Sequence, residues 1–267
     1  MEIFQYEFMQ NAFIVGIILA ILSPILGIFL IIRRYTLISD TLAHTSLTWV
    51  IIWLLLKISP ILTTLIYSIF MSYIIEKLRQ TKKLVWDTVL ALVLAWNLAI
   101  VAIILSLNNT VMFNLSSYLF WSISLVSRSD VFIIWSISIL VWIIIFVIKN
   151  KLMKTVYDED WAIASWINTK FINVILILAT STVITLALPI IWILLIWSLI
   201  VLPVIIATQI SQSFKSTLII AEIISIISVL SWIIISYYFN ISASWMITAF
   251  LIMFFIIFSI YSRIKRI

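Results

Sequence analysis

Residues 11–32 read NAFIVGIILAILSPILGIFLII, an apolar stretch without a charged residue. As an α-helix it would rise about 33 Å, enough to cross a hydrocarbon core of roughly 30 Å. Its apolar residues are continuous rather than alternating, which fits a membrane helix and not a lipid-facing strand. Comparable runs recur at 42–56, 61–75, 88–107, 131–148, 171–188, 190–208, 217–239 and 243–262. Backbone groups inside lipid need internal partners, so such runs fold as a helical bundle. The expected fold is all-α: a polytopic integral membrane protein of about eight or nine transmembrane helices.

Composition agrees. Of the 267 residues, 65% are hydrophobic and only 10% charged, where a soluble domain is about half apolar and a quarter charged. No soluble domain, low-complexity tract or dividing linker interrupts the chain, so 1–267 reads as one transmembrane domain. Cysteine is absent, which excludes disulfides and thiolate metal ligands. The opening MEIFQYEFMQ is acidic and lacks a basic n-region, so 11–32 is expected to be a retained span and not a cleavable signal.

Net charge is +6, and the cations are placed unevenly. All but Lys57 and Arg128 of the 16 Lys and Arg fall at RRYT (33–36), EKLRQTKK (76–83), KNKLMKTVYDED (149–160), Lys170, Lys215 and RIKRI (263–267). Serial threading puts these joints on one side, which the positive-inside rule makes cytoplasmic. If all nine runs span, the N-terminus is outside and the C-terminus inside. The basic residues thus report topology, with lipid as the surrounding partner and no nucleic acid. Only Pro189 separates 171–188 from 190–208; a tight hairpin and a broken helix both fit. The segment 108–130 is too polar and short for another full span, and is expected to re-enter the membrane or lie on it.

Against this apolar background, SDTLAHTSL (39–47) holds an aspartate and the chain's only histidine. Asp40 and His44 are four residues apart and share one face of a helix. An ionised carboxylate in lipid costs several kcal/mol unless paired or hydrated. A carboxylate oxygen and a neutral imidazole nitrogen together suit a divalent transition metal such as zinc or manganese. Two ligands per chain are too few for a tight site, as suits an ion that must also leave. No permanently bound cofactor is expected. Because metal needs the unprotonated imidazole, transport is expected to weaken in acid. The competing reading makes Asp40 an N-cap that precedes Thr41 and the run from 42 onward, with His44 a first-turn residue bonded to a neighbouring carbonyl.

Other polar residues carry less. Glu222 reads as a side chain that snorkels or bonds a neighbouring helix, Asp87 as an N-cap or first-turn charge, and Pro189 and Pro203 as kinks or breaks. No GxxxxGK[ST] motif is present, so ATP, if used, is bound by another chain. The stretch YDEDWAIASWI (157–167) is long for an inner loop. Asp158, Glu159 and Asp160 can cap a short helix, which Ala162 and Ala164 keep slim. A partner's groove and plain solvent fit it equally well.

In order and spacing, SDTLAHTSL, YLFWS (118–122), YDEDWAIASWI, IIWILLIWSLIVLPVIIAT (190–208) and SYYFNISASW (236–245) resemble the membrane permease family of zinc and manganese ATP-binding-cassette importers. The resemblance spans nearly the whole chain. It implies a non-enzymatic permease subunit acting as a dimer in the cytoplasmic membrane. Its partners would be ATPase subunits and an extracytoplasmic metal-binding protein. It implies that Asp40 and His44 serve the metal path. It also implies that 157–167, with Asp158, Glu159, Asp160, Ala162, Ala164 and Trp166, is the coupling helix that docks on the ATPase. Leu199 to Ala207 resembles a hallmark core segment, and the DTLAH wording is closer to the zinc branch. The rivals are a permease for a metal chelate of siderophore or cobalamin type, an ATPase-independent secondary transporter or channel, and a membrane scaffold.

One departure is systematic. Trp49, Trp53, Trp121, Trp166, Trp192 and Trp245 stand where the family pattern has glycine. A chain of this length would carry about 19 glycines at average usage; this one has two, beside 13 tryptophans. Either the protein is rich in interfacial tryptophan, or UGA codons that its source reads as glycine have been rendered as tryptophan. Many of these residues lie mid-span rather than at the membrane interfaces, which favours the second.

Overall fold

The computed structural model describes residues 6–56, 60–81, 85–107, 128–188, 193–239 and 243–265. Among the described residues there is no strand, and ten helices follow in order: α1 (Glu7–Ile32), α2 (Leu37–Leu56), α3 (Pro60–Gln80), α4 (Trp86–Leu107), α5 (Arg128–Tyr157), α6 (Glu159–Ala164), α7 (Thr169–Ala187), α8 (Ile193–Thr208), α9 (Phe214–Phe239) and α10 (Ala243–Lys265). Nine of them coincide with the nine apolar runs, and the tenth, α6, is the short helix expected within 157–167. Five helices are long and apolar enough to cross a membrane by length and composition, and α2, α8 and α10 carry shorter apolar stretches. Pro189 and most of 108–130, on which the hairpin and surface-segment expectations fall, lie outside the described residues.

The chain divides into two units. The first comprises Met1–Thr36, Trp121–Ser138 and Pro189–Ile267. Here α1 packs on α8 and α9, α8 also meets α9 and α10, and α9 meets α10. An apolar-all-round helix is a buried helix, and 67% of the spanning window of α1 is buried. Its Pro24 lies inside the helix and is buried, a position that membrane helices tolerate. Gly27 lets α1 touch the backbone of α8: a Cβ there would lie 1.9 Å from the Ile200 carbonyl oxygen. At the outer surface, Glu7 Oε1 accepts from Arg128 Nε at 2.5 Å. That pair joins the starts of α1 and α5, two points that serial threading puts on the same side.

The second unit comprises Leu37–Phe120 and Ile139–Leu188. There α3 packs on α7, and α2 is covered by α3, α4 and α7. The window of α7 is 72% buried, while those of α4 and α5 are only 28% and 22% buried. The last two therefore leave wide apolar faces, which an integral membrane protein presents to lipid or to a partner helix. Two buried hydroxyls of α7 bond within their own helix: Thr180 donates to the Leu176 carbonyl at 2.8 Å and Thr185 to that of Ser181 at 3.0 Å.

The run at 61–75 continues as helix to Gln80 because its first charges satisfy one another. Glu76, with 1% of its side chain exposed, accepts from Arg79 through Nε (2.7 Å) and Nη2 (2.6 Å) and from Gln80 Nε2 (3.0 Å). The forked guanidinium matches both carboxylate oxygens, so a buried carboxylate here is paired and not stranded.

Candidate metal-path residues and coupling segment

Helix α2 begins at Leu37, so Asp40 lies within its first turn and is not the N-cap. The capping alternative is thereby corrected. The helix starts a turn earlier than the apolar run because Ser39 and Thr41 are buried rather than solvated; Thr41 Oγ1 donates to the Leu37 carbonyl at 3.1 Å. Between residues 37 and 48, only Leu37, Asp40, His44 and Leu47 are not buried. Their spacing of three, four and three residues makes one stripe along the helix. The two ionisable residues thus occupy the face of α2 that its neighbours leave uncovered.

On that stripe His44 Nε2 lies 3.8 Å from Asp40 Oδ1, with side chains 19% and 35% exposed. The separation is too long for a hydrogen bond. His44 Nδ1 is buried and has no hydrogen-bond partner among the described residues. A neutral imidazole has one acceptor nitrogen, and the carboxylate keeps free lone pairs. The pair can offer an oxygen and a nitrogen to one cation. Among the described residues no group of three His, Cys, Asp or Glu gathers at a point.

Behind the stripe lies a polar brace that the sequence reading did not find. Thr48 Oγ1 donates to the His44 carbonyl at 3.1 Å and reaches the Asn97 carbonyl at 3.4 Å. The fully buried Asn97 accepts from Tyr67 at 3.1 Å through Oδ1 and donates to Val93 at 2.8 Å through Nδ2. Trp49 stacks on Tyr67, with ring centroids 5.0 Å apart and 12° between planes. One turn back, Ser46 Oγ pairs with Ser68 Oγ at 2.5 Å and approaches Thr185 Oγ1 at 3.4 Å. These bonds tie the turn carrying His44 to α3, α4 and α7. The available signal was Asn97, a lone amide inside an apolar helix, which must find partners there; Tyr67 and Thr48 gave none.

The 157–167 stretch folds as expected. Asp158 caps α6, its Oδ1 accepting from the Trp161 amide at 2.9 Å. Glu159 instead accepts from Asn173 Nδ2 at 3.3 Å, fastening α6 to α7, while Asp160 is exposed. Ala162 is fully buried and is the small residue that permits the contact; Ala164 faces out. Trp161, Ile163 and Trp166 are exposed, Trp166 by 97%. Lys154 Nζ sits 5.0 Å from the Trp161 ring centroid. The segment is a small capped helix with one anchored edge and one free apolar edge.

Comparison with known proteins agrees with this architecture. The sequence profile described as the ABC 3 transport family matches residues 5–262. A probable metal transport system membrane protein of Treponema pallidum is 31% identical over 238 residues, covering 89% of each chain. The high-affinity zinc uptake system membrane protein ZnuB of Buchnera aphidicola subsp. Schizaphis graminum is 30% identical over 241 residues, covering 90% of this chain and 92% of that one. Among solved structures, PsaBC from Streptococcus pneumoniae, in complex with Fab, superposes with a TM-score of 0.82. It does so at 23% identity, over 95% of this chain and 91% of that one.

Proposed function

The chain belongs to the ABC 3 transport family, a multi-pass protein of the cytoplasmic membrane, and from that premise we propose that it is the permease of an ATP-binding-cassette importer for a divalent metal ion. Zinc is the favoured cargo and manganese the second. The observation that carries this is the Asp40–His44 pair on the uncovered stripe of α2. Relatives named for zinc uptake and metal transport support the cargo class.

The whole chain, 1–267, works as one permease domain, and two copies enclose the path. An extracytoplasmic binding protein delivers the ion. Carboxylate oxygen and imidazole nitrogen replace part of its lost hydration as it passes, and the absence of a full ligand cage lets it go on. ATP hydrolysis resides on separate ATPase subunits. Their closure pushes on α6, whose free edge at Trp161 and Ile163 meets the ATPase while Glu159 and Ala162 hold the other edge to α7.

Metal uptake into proteoliposomes holding the complete importer tests this. Asp40→Ala and His44→Ala, each and together, are expected to cut uptake at least tenfold while ATPase subunits still co-purify. Unchanged uptake in the double variant sinks the assignment. Free zinc should compete with labelled cargo; competition by a metal chelate alone would instead identify a chelate permease.

A further inference from the structure

The two glycines show how this bundle uses small residues. A Cβ at Gly27 would strike the Ile200 carbonyl oxygen, and one at Gly16 would lie 2.9 Å from Val229 Cγ1. Both mark places where membrane helices come close, the usual role of small residues there. Two glycines are few for a membrane bundle of this length, and tryptophan is in excess.

Several tryptophans sit where an indole is poorly accommodated. Trp166 has φ 59°, in the left-handed region. Its amide donates to the Ile163 carbonyl at 3.0 Å, and the Ile167 amide to that of Ala162 at 3.0 Å. This is the Schellman ending of α6, with residue 166 at the position glycine most often fills. Arg34, at φ 59°, ends α1 in the same way, so a long side chain can take this conformation. Arginine there keeps its charge in water, however, whereas the indole of Trp166 is 97% exposed.

A second observation is independent of the backbone. The indole N–H of Trp49, Trp197 and Trp232 is buried, with no hydrogen-bond partner among the described residues. Trp232 is fully enclosed. Buried indoles normally pair this donor, and an unpaired donor away from water carries the full cost of lost hydration.

We propose that positions 49, 166, 197 and 232 are glycine in the protein as its own cell makes it, because UGA codons there are read as glycine and not as tryptophan. Replacing the indoles removes three orphaned donors and relieves one left-handed backbone. It also frees the face of Tyr67, on which residue 49 now stacks. The packing of α2 beside the Asp40–His44 stripe is then set by backbone contact, as at Gly27.

The native protein answers this directly. Trypsin cuts after Lys154 and Lys170, releasing the peptide 155–170 from a segment outside the apolar runs. Its mass and fragment series from source-organism membranes should show glycine at 166, with UGA at codons 49, 166, 197 and 232 in the gene. Tryptophan at 166 in that peptide, or UGG at those codons, overturns the proposal. A recombinant comparison gives a second readout. The Trp49→Gly/Trp166→Gly/Trp197→Gly/Trp232→Gly chain should melt at a higher temperature in detergent than the tryptophan chain. An equal or lower midpoint also overturns it.

Discussion

Gly27→Ala is the sharpest test of the helix packing described above. The new methyl carbon would lie 1.9 Å from the Ile200 carbonyl oxygen and 3.0 Å from its carbonyl carbon. Real Cβ contacts essentially never fall below 3.0 Å, so α1 and α8 must separate by more than ~1 Å at their crossing. The obstacle is backbone and cannot rotate away. Overpacking a well-filled core costs about 1–3 kcal/mol, and a backbone clash belongs at the upper end. Alanine returns roughly 1 kcal/mol through its better helix propensity. The net loss is therefore about 2 kcal/mol, which lowers Tm by roughly 4–8 °C for a chain of this size. Gly16→Ala is the internal control. Its Cβ would meet the side-chain atoms Val229 Cγ1 (2.9 Å) and Ile233 Cδ1 (3.1 Å), which can shift by a few tenths of an ångström. Propensity then offsets the strain, and the net change is within about 1 kcal/mol. Thermal unfolding of both variants in the same detergent decides between them. A Gly27→Ala chain as stable as the parent, or a Gly16→Ala chain hurt more, would refute the proposed close approach of α1 and α8.

Three further outcomes are expected. Glu76→Gln should destabilise the chain by about 3 kcal/mol, because it leaves the Arg79 guanidinium half-buried without its counter-charge; a melting curve that superposes on the parent would show that the pair is dispensable. Asn97→Leu should cost more than Tyr67→Phe, by roughly 1 kcal/mol, since it removes the acceptor and leaves the phenol unpaired. Equal melting points for the two variants would mean that the brace behind His44 is not held by this bond. Asp158→Ala should cost about 1 kcal/mol locally at the start of α6. It should read as faster hydrogen exchange over Glu159–Ala164 with an unchanged global Tm, and unaltered exchange would count against the cap.

Which parts of the molecule were legible beforehand follows from the range of the forces involved. The apolar runs marked nine long helices because crossing lipid demands an unbroken apolar stretch, a local property of the chain. The capped helix at 157–167 was legible for the same reason: Asp158 bonds an amide three residues away. Where local cues misled, burial was responsible. Asp40 looked like a cap because it precedes an apolar run, yet α2 extends back to Leu37 around buried Ser39 and Thr41. The helix α3 outlasts its apolar run because Glu76 is hidden against Arg79.

The amino-acid sequence by itself determined the class of the protein, the positions of its apolar runs, the likeness to metal permeases and the spacing that puts Asp40 and His44 on one helical face. Only the tertiary structure decided that this face is the uncovered one. It alone tied the turn behind His44 to Asn97 and Tyr67, and held residue 166 in a left-handed turn. The reason is that hydropathy and helical period act over a few neighbouring residues. Which side of a helix is covered depends on partners far along the chain, as when Ser46 meets Thr185 across 139 positions.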